Sequence, residues 1–444
     1  MMRALVLAVV TGGLMLPTSV FAQQLWWLVE QTRVISNSTA WDVNDAGVAV
    51  GMIAYPNPTN LATEIRRAVR WSAATGLQIL DSIAQSPSDE ARAISANGQV
   101  IAGIIATPNG ERGALWTESG PEVLHAIKPN GYQAGAVALS ARGDIPVGYS
   151  SADNTGIFHA VRWVGNDAAR VLPATGFAGS VAHGVSGDGT TIVGNATTLD
   201  NTRSIAFRWY ASTYDTLGTL GGSLSEARAA SADGSVIVGW SANVANVERA
   251  FRWTASRGMH DIQTIGAYGR AYDVSADGKT VVGQVTFDNN QTSAFVWTEQ
   301  DGMKLIELLY PSVVADGSRL MHAYAVSPNG RYVVGRGYNA ALGRMLGWIL
   351  DTRAASSTFE ERLSDPGYKL ETSSSHLLMR LPEHGEVTLV LYDLCGRSMG
   401  TLVNGYHSAG NYSVLVPGSL SAGVYIAVMR TRSVTLARPV VVGW

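Results

Sequence analysis

A single cysteine, Cys395, stands in 444 residues, so no internal disulfide can form and stability has to come from a packed core. Charge is scarce as well. Only 15% of residues are charged, and 32 lysines and arginines against 35 acidic residues leave a net charge of −3. The basic residues are scattered, which excludes the clustered patch a nucleic-acid partner would need. None of the eight histidines falls in an HxxxH spacing, so no metal site is expected, and no motif calls for a cofactor. Beyond the N-terminus no apolar run approaches membrane length, and no integral span is expected.

What is present begins with an export signal. Arg3 supplies the positive start, Ala4 to Val10 is apolar, and Val20-Phe21-Ala22 has the form of a cleavage site. Gly12, Gly13 and Pro17 break the run, so residues 1–22 read as a signal peptide and Gln23 as the mature N-terminus. Some 420 remaining residues predict at least two domains.

The dominant pattern is a motif that returns seven times, each copy closing on a tryptophan: Trp71, Trp116, Trp163, Trp209, Trp253, Trp297 and Trp348. The gaps are 45, 47, 46, 44, 44 and 51 residues. Each copy carries a Ser-x-Asp-Gly-like turn: Asn44 to Gly47, Ser95 to Gly98, Ser140 to Gly143, Ser186 to Gly189, Ser231 to Gly234, Ser275 to Gly278 and Ser327 to Gly330. Asp-Gly or Asn-Gly between apolar runs signals a hairpin, with positive φ expected at both residues. The preceding serine or asparagine is placed to bond the turn backbone. A β-branched pair ending in glycine follows, as in Val281-Val282-Gly283, and then a third strand such as Ala206-Phe207-Arg208-Trp209. In that strand Phe207 and Trp209 share one face while Ala206 and Arg208 share the other. Fourth strands are expected at Leu77 to Leu80, Val123-Leu124, Val171-Leu172, Thr216-Leu217, Met259 to Ile262 and Met303 to Ile306.

Four strands in each of seven repeats predict an all-β fold, a seven-bladed β-propeller over residues 23–352. The seventh repeat lacks its fourth strand, whereas Leu25-Trp26-Trp27-Leu28-Val29 is an apolar run with no partner. The N-terminal run is therefore expected to complete the last blade and close the ring, removing exposed sheet edges.

The Ala-Phe-x-Trp core with SxDGxxVVG upstream resembles the bacterial extracellular HAF repeats. The tripeptide here is degenerate, as in His159-Ala160-Val161, Arg249-Ala250-Phe251 and Ser293-Ala294-Phe295, and Leu217 to Gly222 is similar to the phrase between repeats. The resemblance covers roughly residues 40 to 350. It implies secretion and a repeated β fold, and no settled activity.

Residues 353–366 break the period and read as a linker. Residues 367–444 carry strand-length runs at Leu377 to Leu381, Val387 to Tyr392, Tyr412 to Val416, Val424 to Met429 and Val434 to Val442, predicting a small Ig-like β-sandwich. Tyr392, Asp393, Gly396 and Arg397, then Gly410, then Gly423 and Tyr425 lie in three ordered phrases. These are similar to the C-terminal sorting domain of type IX secretion substrates of Bacteroidota. That resemblance implies type IX secretion machinery as a partner and a secreted or surface-attached product. The usual opening Asn-Pro is absent, and Val442-Gly443-Trp444 replaces the usual basic end.

Candidate sites are few, and no catalytic constellation is apparent. Arg70, Arg162, Arg208 and Arg252 recur at one place in the repeat, so they read as side chains packed between blades rather than a cluster. Asp188, Asp233 and Asp277 are explained by turn chemistry. The recurring tryptophans read as core, and His125, His183 and His260 as scattered blade or loop residues. Trp41 and Trp240 fall outside the period and are free for another role. The segments between second and third strands vary while the frame does not, and recognition usually lives on such loops. Candidate binding residues there are Trp240, Asn243, Asn246, Asn289, Asn290, Asp200 and Asn201. The expected function is a non-enzymatic binding module for an extracellular glycan or protein ligand. The alternatives are a sialidase-like or polysaccharide-active enzyme, using carboxylates such as Asp42, Asp144, Asp153, Asp200 and Glu248, and a structural cell-surface component.

Overall fold

The structure, a computed structural model, describes residues 25–353 and 368–442, apart from 31–33, 61–62, 84–85, 129–132, 152–155, 166–168, 373–375, 394–397, 421–422 and 432–434. The expected signal peptide and nearly all of the linker lie outside the described residues. Each repeat folds into an antiparallel sheet whose strands pair in chain order. The first holds Asn37–Val43, Ala49–Pro56, Glu64–Ser72 and Gly76–Ile79. The second holds Asp89–Ile94, Ile101–Thr107, Gly110–Thr117 and Gly120–Val123, and the third Ala134–Leu139, Pro146–Ser151, Phe158–Arg162 and Arg170–Val171. Phe177–Val185, Thr191–Thr198, Ser204–Tyr210 and Thr213–Gly218 form the fourth. One parallel bridge, Ser204 to Leu224, ties it to the fifth, made of Gly221–Ala230, Val236–Asn243, Glu248–Thr254 and Gly258–Asp261. The sixth holds Tyr268–Val274, Thr280–Thr286, Thr292–Thr298 and Gly302–Leu305.

The last repeat supplies Arg319–Val326, Tyr332–Asn339 and Arg344–Asp351, and its fourth strand is Leu25–Trp27, which pairs Leu25 with Leu350 and Trp27 with Trp348. The first strands of successive sheets pack one on the next, and Arg319–Val326 packs against Asn37–Val43. The ring thus closes as a β-propeller. Ser38 seals the join: its Oγ donates to the Leu28 carbonyl at 2.7 Å and accepts the Gly347 amide at 2.9 Å. The 51-residue gap before Trp348 has a local cause, a short helix Ile306–Leu309 and a 3₁₀ turn Pro311–Val314 inserted after the sixth sheet.

The two faces of each third strand interlock as their chemistry dictates. Phe207 and Trp209 pack with Val147 and Ala160 of the preceding sheet, while Ala206 receives Phe251 and Trp253 of the following one. Large against small keeps the seams close-packed. The repeat arginines cover the aromatic step: Arg162 lies 4.7 Å from the Trp209 ring, Arg208 4.8 Å from Trp253 and Arg252 6.0 Å from Trp297.

The turns differ from expectation in one respect. Positive φ is confined to the glycine, for example 69° at Gly234, and the preceding aspartate keeps an ordinary conformation. A Ser-to-Gly bond closes each turn, as from the Gly234 amide to the Ser231 carbonyl at 3.0 Å. This is a type I turn ending in a left-handed glycine, rather than a two-residue mirror-image turn. The serine hydroxyl donates to the aspartate (Ser231 to Asp233, 2.7 Å) and accepts the Val236 amide at 3.0 Å, while Asp233 accepts the Ser235 amide at 3.0 Å. Each of the turn carboxylates Asp188, Asp233 and Asp277 is thus engaged by its own turn through Oδ1.

Residues 368–442 form a second unit of two sheets. One holds Lys369–Thr372, His376–Leu381 and Gly410–Leu415; the other orders Ser398–His407, Gly385–Asp393, Gly423–Thr431 and Thr435–Val442. Leu377, Met379, Leu389, Leu391, Ala427 and Met429 share its core. Two strands had no sequence expectation, Lys369–Thr372 and Ser398–His407. The second reads SMGTLVNGYH, whose glycines Gly400 and Gly405 mask the alternation. Tyr392 and Asp393 end one strand, Gly410 and Gly423 open two others, and Tyr425 is buried. Gly396, Arg397 and Cys395 lie outside the described residues.

Candidate functional site: the axial channel

The glycine that ends each β-branched pair shapes the centre of the ring. A Cβ on Gly51, Gly103, Gly148, Gly194, Gly239, Gly283 or Gly335 would sit 1.8–2.0 Å from a carbonyl oxygen of the neighbouring first strand. Only a residue without a side chain lets that strand come so close. Opposite each of these glycines the first strand carries a bulge, where one residue is skipped in the pairing. The skipped residues are Trp41, Arg92, Val137, His183, Arg228, Tyr272 and Tyr324. A bulge re-aims its side chain, and here it turns one residue of every repeat toward the axis.

These side chains meet. The Arg92 guanidinium lies 4.1 Å from the Trp41 ring, Trp41 lies 4.6 Å from Tyr324, and Tyr324 is 5.4 Å from Tyr272. Arg228 covers Tyr272 at 5.8 Å, and His322 stacks parallel on Tyr324 at 5.5 Å. An arc of three rings with a cation at each end thus runs through five repeats. Tyr324 of the seventh repeat is held up to about 12 by burial while feeling Arg92 of the second and Arg228 of the fifth, so the arc converges on one space.

A second tier comes from the residue after each glycine: Met52, Ile104, Tyr149, Asn195, Trp240, Gln284 and Arg336, each opposite a first-strand residue. Gln284 Oε1 accepts from the Tyr272 hydroxyl at 2.9 Å and meets His322 Nδ1. Burial pushes His322 down to about 4 and lowers His183, so both are neutral near pH 7. His183 Nε2 bonds Asn195 at 2.7 Å. The carboxylates of this tier are matched. Glu90 is shared by Arg66 at 2.8 Å and Arg92 at 2.5 Å, Glu226 pairs with Arg228, and Glu248 holds Arg270 through two bonds of 2.7 Å. Among the buried donor atoms of this wall with no hydrogen-bond partner among the described residues are Trp41 Nε1, Trp240 Nε1, Arg92 Nε and Arg336 Nε.

Two aspartates stand beside the arc. Asp42 accepts the Ile94 amide and Asp273 the Val326 amide, each at 2.8 Å across a seam. Loss of solvent raises Asp42 to about 7 and Asp273 to about 8, and each other's charge adds to the shift at Asp273.

The expected site residues are only partly brought together. Trp240 does not open a loop; it lies within Val236–Asn243, buried beneath the Arg270 guanidinium at 4.7 Å. Trp41 and His183 also join the channel wall. The remaining candidates fall in three neighbouring turns at the end of the ring opposite the Ser-x-Asp-Gly turns. Asn243 Oδ1 accepts the Ala245 and Val247 amides at 2.9 and 3.1 Å, and Asn289 accepts Gln291 at 3.0 Å. Asp200 accepts Thr202 at 3.1 Å. Asn201, Asn246 and Asn290 take positive φ of 57°, 55° and 61°. Asparagine tolerates that region better than most residues, so turn geometry accounts for all three. Of the alternative carboxylates, Asp144 sits in a Ser-x-Asp-Gly-type turn bonded to Ser140, Asp200 lies at the opposite end, and Asp153 is outside the described residues. They do not converge. A shallow recess between the fourth and fifth sheets holds Arg208 and Asp215, already paired at 3.0 Å.

Sequence reasoning passed over the channel residues, although a signal was there. Each sits after an alanine in a nearly constant frame: Ala40-Trp41-Asp42-Val43, Ala91-Arg92-Ala93-Ile94, Ala323-Tyr324-Ala325-Val326.

No protein-family profile matches the chain, and no curated protein sequence does either. Similar solved structures include TolB from Acinetobacter baumannii, at 13% identity over 69% of this chain and 80% of that one, TM-score 0.39. The β-propeller domain of the trilobed protease from Pyrococcus furiosus, with an open velcro topology, gives 10%, 72% and 96%, TM-score 0.47. Acylaminoacyl peptidase from Pyrococcus horikoshii gives 10%, 78% and 57%, TM-score 0.44. At this level of likeness no function passes from them to the present chain.

Proposed function

We propose that this chain is an exported, non-enzymatic binding module: a seven-bladed propeller over residues 23–352 that recognises its ligand at the axial channel. One observation carries the reading. Within a single molecule the frame alanines Ala40, Ala91, Ala136, Ala182, Ala227, Ala271 and Ala323 are identical and fully buried, while the residue after each varies among Trp, Arg, Val, His and Tyr. A position that only had to pack would converge as its neighbour does; diversity on a rigid frame is what recognition requires. Apolar tips around the mouth, Leu199 and Val244 at 71% and 85% exposure among them, offer further contact surface to a glycan or protein.

The export half of the proposal rests on the signal-like residues 1–22, the HAF-like repeats and the type IX sorting phrases. On it, residues 367–444 are an Ig-like sorting sandwich joined by the linker 353–366, and the product is secreted or surface-attached. The test is a glycan-array and surface-protein screen of the full chain beside its Tyr324→Ala variant. Saturable binding by the wild type that the variant loses is expected. Binding that survives Tyr324→Ala would move recognition to the loop turns, and binding to nothing would overturn the module reading.

A further inference from the structure

Resting on the channel reading, we propose that the ligand is an acidic saccharide whose sugar carboxylate is received by Arg336 and the neighbouring unpartnered donors. The channel has unequal supplies of donors and acceptors. Glu90, Glu226 and Glu248 each hold at least one arginine, and Glu90 serves two. Arg336 has no ion pair or hydrogen bond among the described residues, although its Nε is shut off from solvent. Arg336 is half-buried, so its guanidinium keeps a partly exposed edge without a counter-ion, and a ligand carboxylate could meet that edge with charge-assisted hydrogen bonds.

Position places Arg336 at the arc. It pairs across the sheet with His322, and its charge acts on both His322 and Tyr324. The two partnerless indole N–H groups and Arg92 Nε add donors and no acceptors. A carboxylate is acceptor-only and suits that set. The carboxylates of this tier, Glu90, Glu226 and Glu248, have their charge offset by arginines. The two histidines are neutral, and burial disfavours ionisation of Asp42 and Asp273.

The remainder of the wall selects a sugar over an acidic peptide. The Tyr272, Tyr324, Trp41 and His322 rings form a continuous aromatic surface, against which the C–H face of a pyranose can lie. The Gln284 amide nitrogen, which takes no part in the bonds of its oxygen to Tyr272 and His322, is placed to donate to a ring hydroxyl. A peptide carboxylate carries no flat ring to use that surface.

The experiment is calorimetric titration of the full chain at pH 7 with a galacturonic-acid oligomer, the neutral galactose oligomer of equal length, and an acidic peptide. Tryptophan fluorescence is followed in parallel. The acidic oligomer should bind saturably, at least tenfold more tightly than the neutral one, and quench fluorescence. Arg336→Gln should weaken it at least tenfold with an unchanged melting temperature, Arg336→Lys should recover part, and Trp41→Phe should weaken it while keeping the ring. Equal binding of both oligomers, lost in Tyr324→Ala, overturns the carboxylate assignment and leaves the channel reading intact. Tighter binding of the peptide overturns the saccharide class. Binding insensitive to both Arg336→Gln and Tyr324→Ala, or no binding at all, overturns the channel site itself.

Discussion

The bulge in each first strand and the turn that follows it obey opposite rules. At the strand's C-terminal end the Ser-x-Asp-Gly turns repeat the same bonds and are laced to one another. Ala96 donates to the Ala141 carbonyl at 2.8 Å, Ala141 to Gly187 at 3.0 Å, Asp188 to Ala232 at 3.0 Å, Ala232 to Ala276 at 3.0 Å and Ala276 to Pro328 at 2.9 Å. Asn329 completes the step to the first repeat by donating its amide to Asp45 Oδ1 at 2.8 Å. Three residues before the turn begins, the bulge presents side chains as unlike as Trp41, Val137 and Arg228, and donors there go unmet. The turn mouth is built for stability and the channel wall is not. Uniform, satisfied chemistry marks a structural device; the divergent, unsatisfied chemistry in the same frame is what the proposed binding role rests on.

This contrast can be broken or sharpened. Deleting residues 23–30 attacks the ring closure on which both regions depend. Loss of Leu25, Trp26, Trp27 and Leu28 contacts should cost on the order of 5 kcal/mol or more, seen as cooperative melting far below wild type. A deletion variant melting within a few degrees of the intact chain would show that the ring does not depend on its N-terminal strand. Gly239→Ala pushes a Cβ to 2.0 Å from the Glu226 carbonyl and should cost about 3 kcal/mol in denaturant unfolding, by expelling the bulge.

The buried aspartates give the wall a pH signature. Folded, Asp42 and Asp273 titrate near 7 and 8, well above the value of 3.8 for a free aspartate. The folded state therefore holds protons that the unfolded state releases. Their contribution is complete below about pH 4 and is lost as pH rises through 7 to 8. Wild type should lose roughly 2–3 kcal/mol between pH 6.5 and 8.5, and Asp42→Asn with Asp273→Asn should flatten most of that slope. At the turn mouth Ser231→Ala strands the Val236 amide and should cost about 1 kcal/mol. The smallest effect sharpens the comparison most: Arg336→Leu on the wall should leave stability unchanged or raise it by about 0.5 kcal/mol, since no partner is lost. A drop comparable to that of Ser231→Ala would show the wall to be structural too.

Much of the ring was legible in the chain. The turns, the β-branched second strands, the alternating third strands and the N-terminal strand pairing with Trp348 all follow from local pattern. The fourth strands were placed to within a few residues. The inserted helix Ile306–Leu309 was not legible, being a single turn with no cap signal. Nor was the conformation of the Asp-Gly pair, because the serine hydroxyl and the neighbouring turn select among local forms that the dipeptide alone leaves open. The site was read at the variable loops, whereas the unmet donors lie on the inner wall. Trp41, Trp240 and His183 were each noticed, but as unrelated residues.

By itself the sequence determined the strand period, the turn chemistry and the faces that must be buried, because these depend on residues a few positions apart. Only the tertiary structure decided that the residue after each frame alanine leaves the sheet and meets its counterparts at the axis. That outcome depends on a glycine in the next strand admitting a carbonyl, and on the sheets closing into a ring so that residues some 45 positions apart in sequence come together.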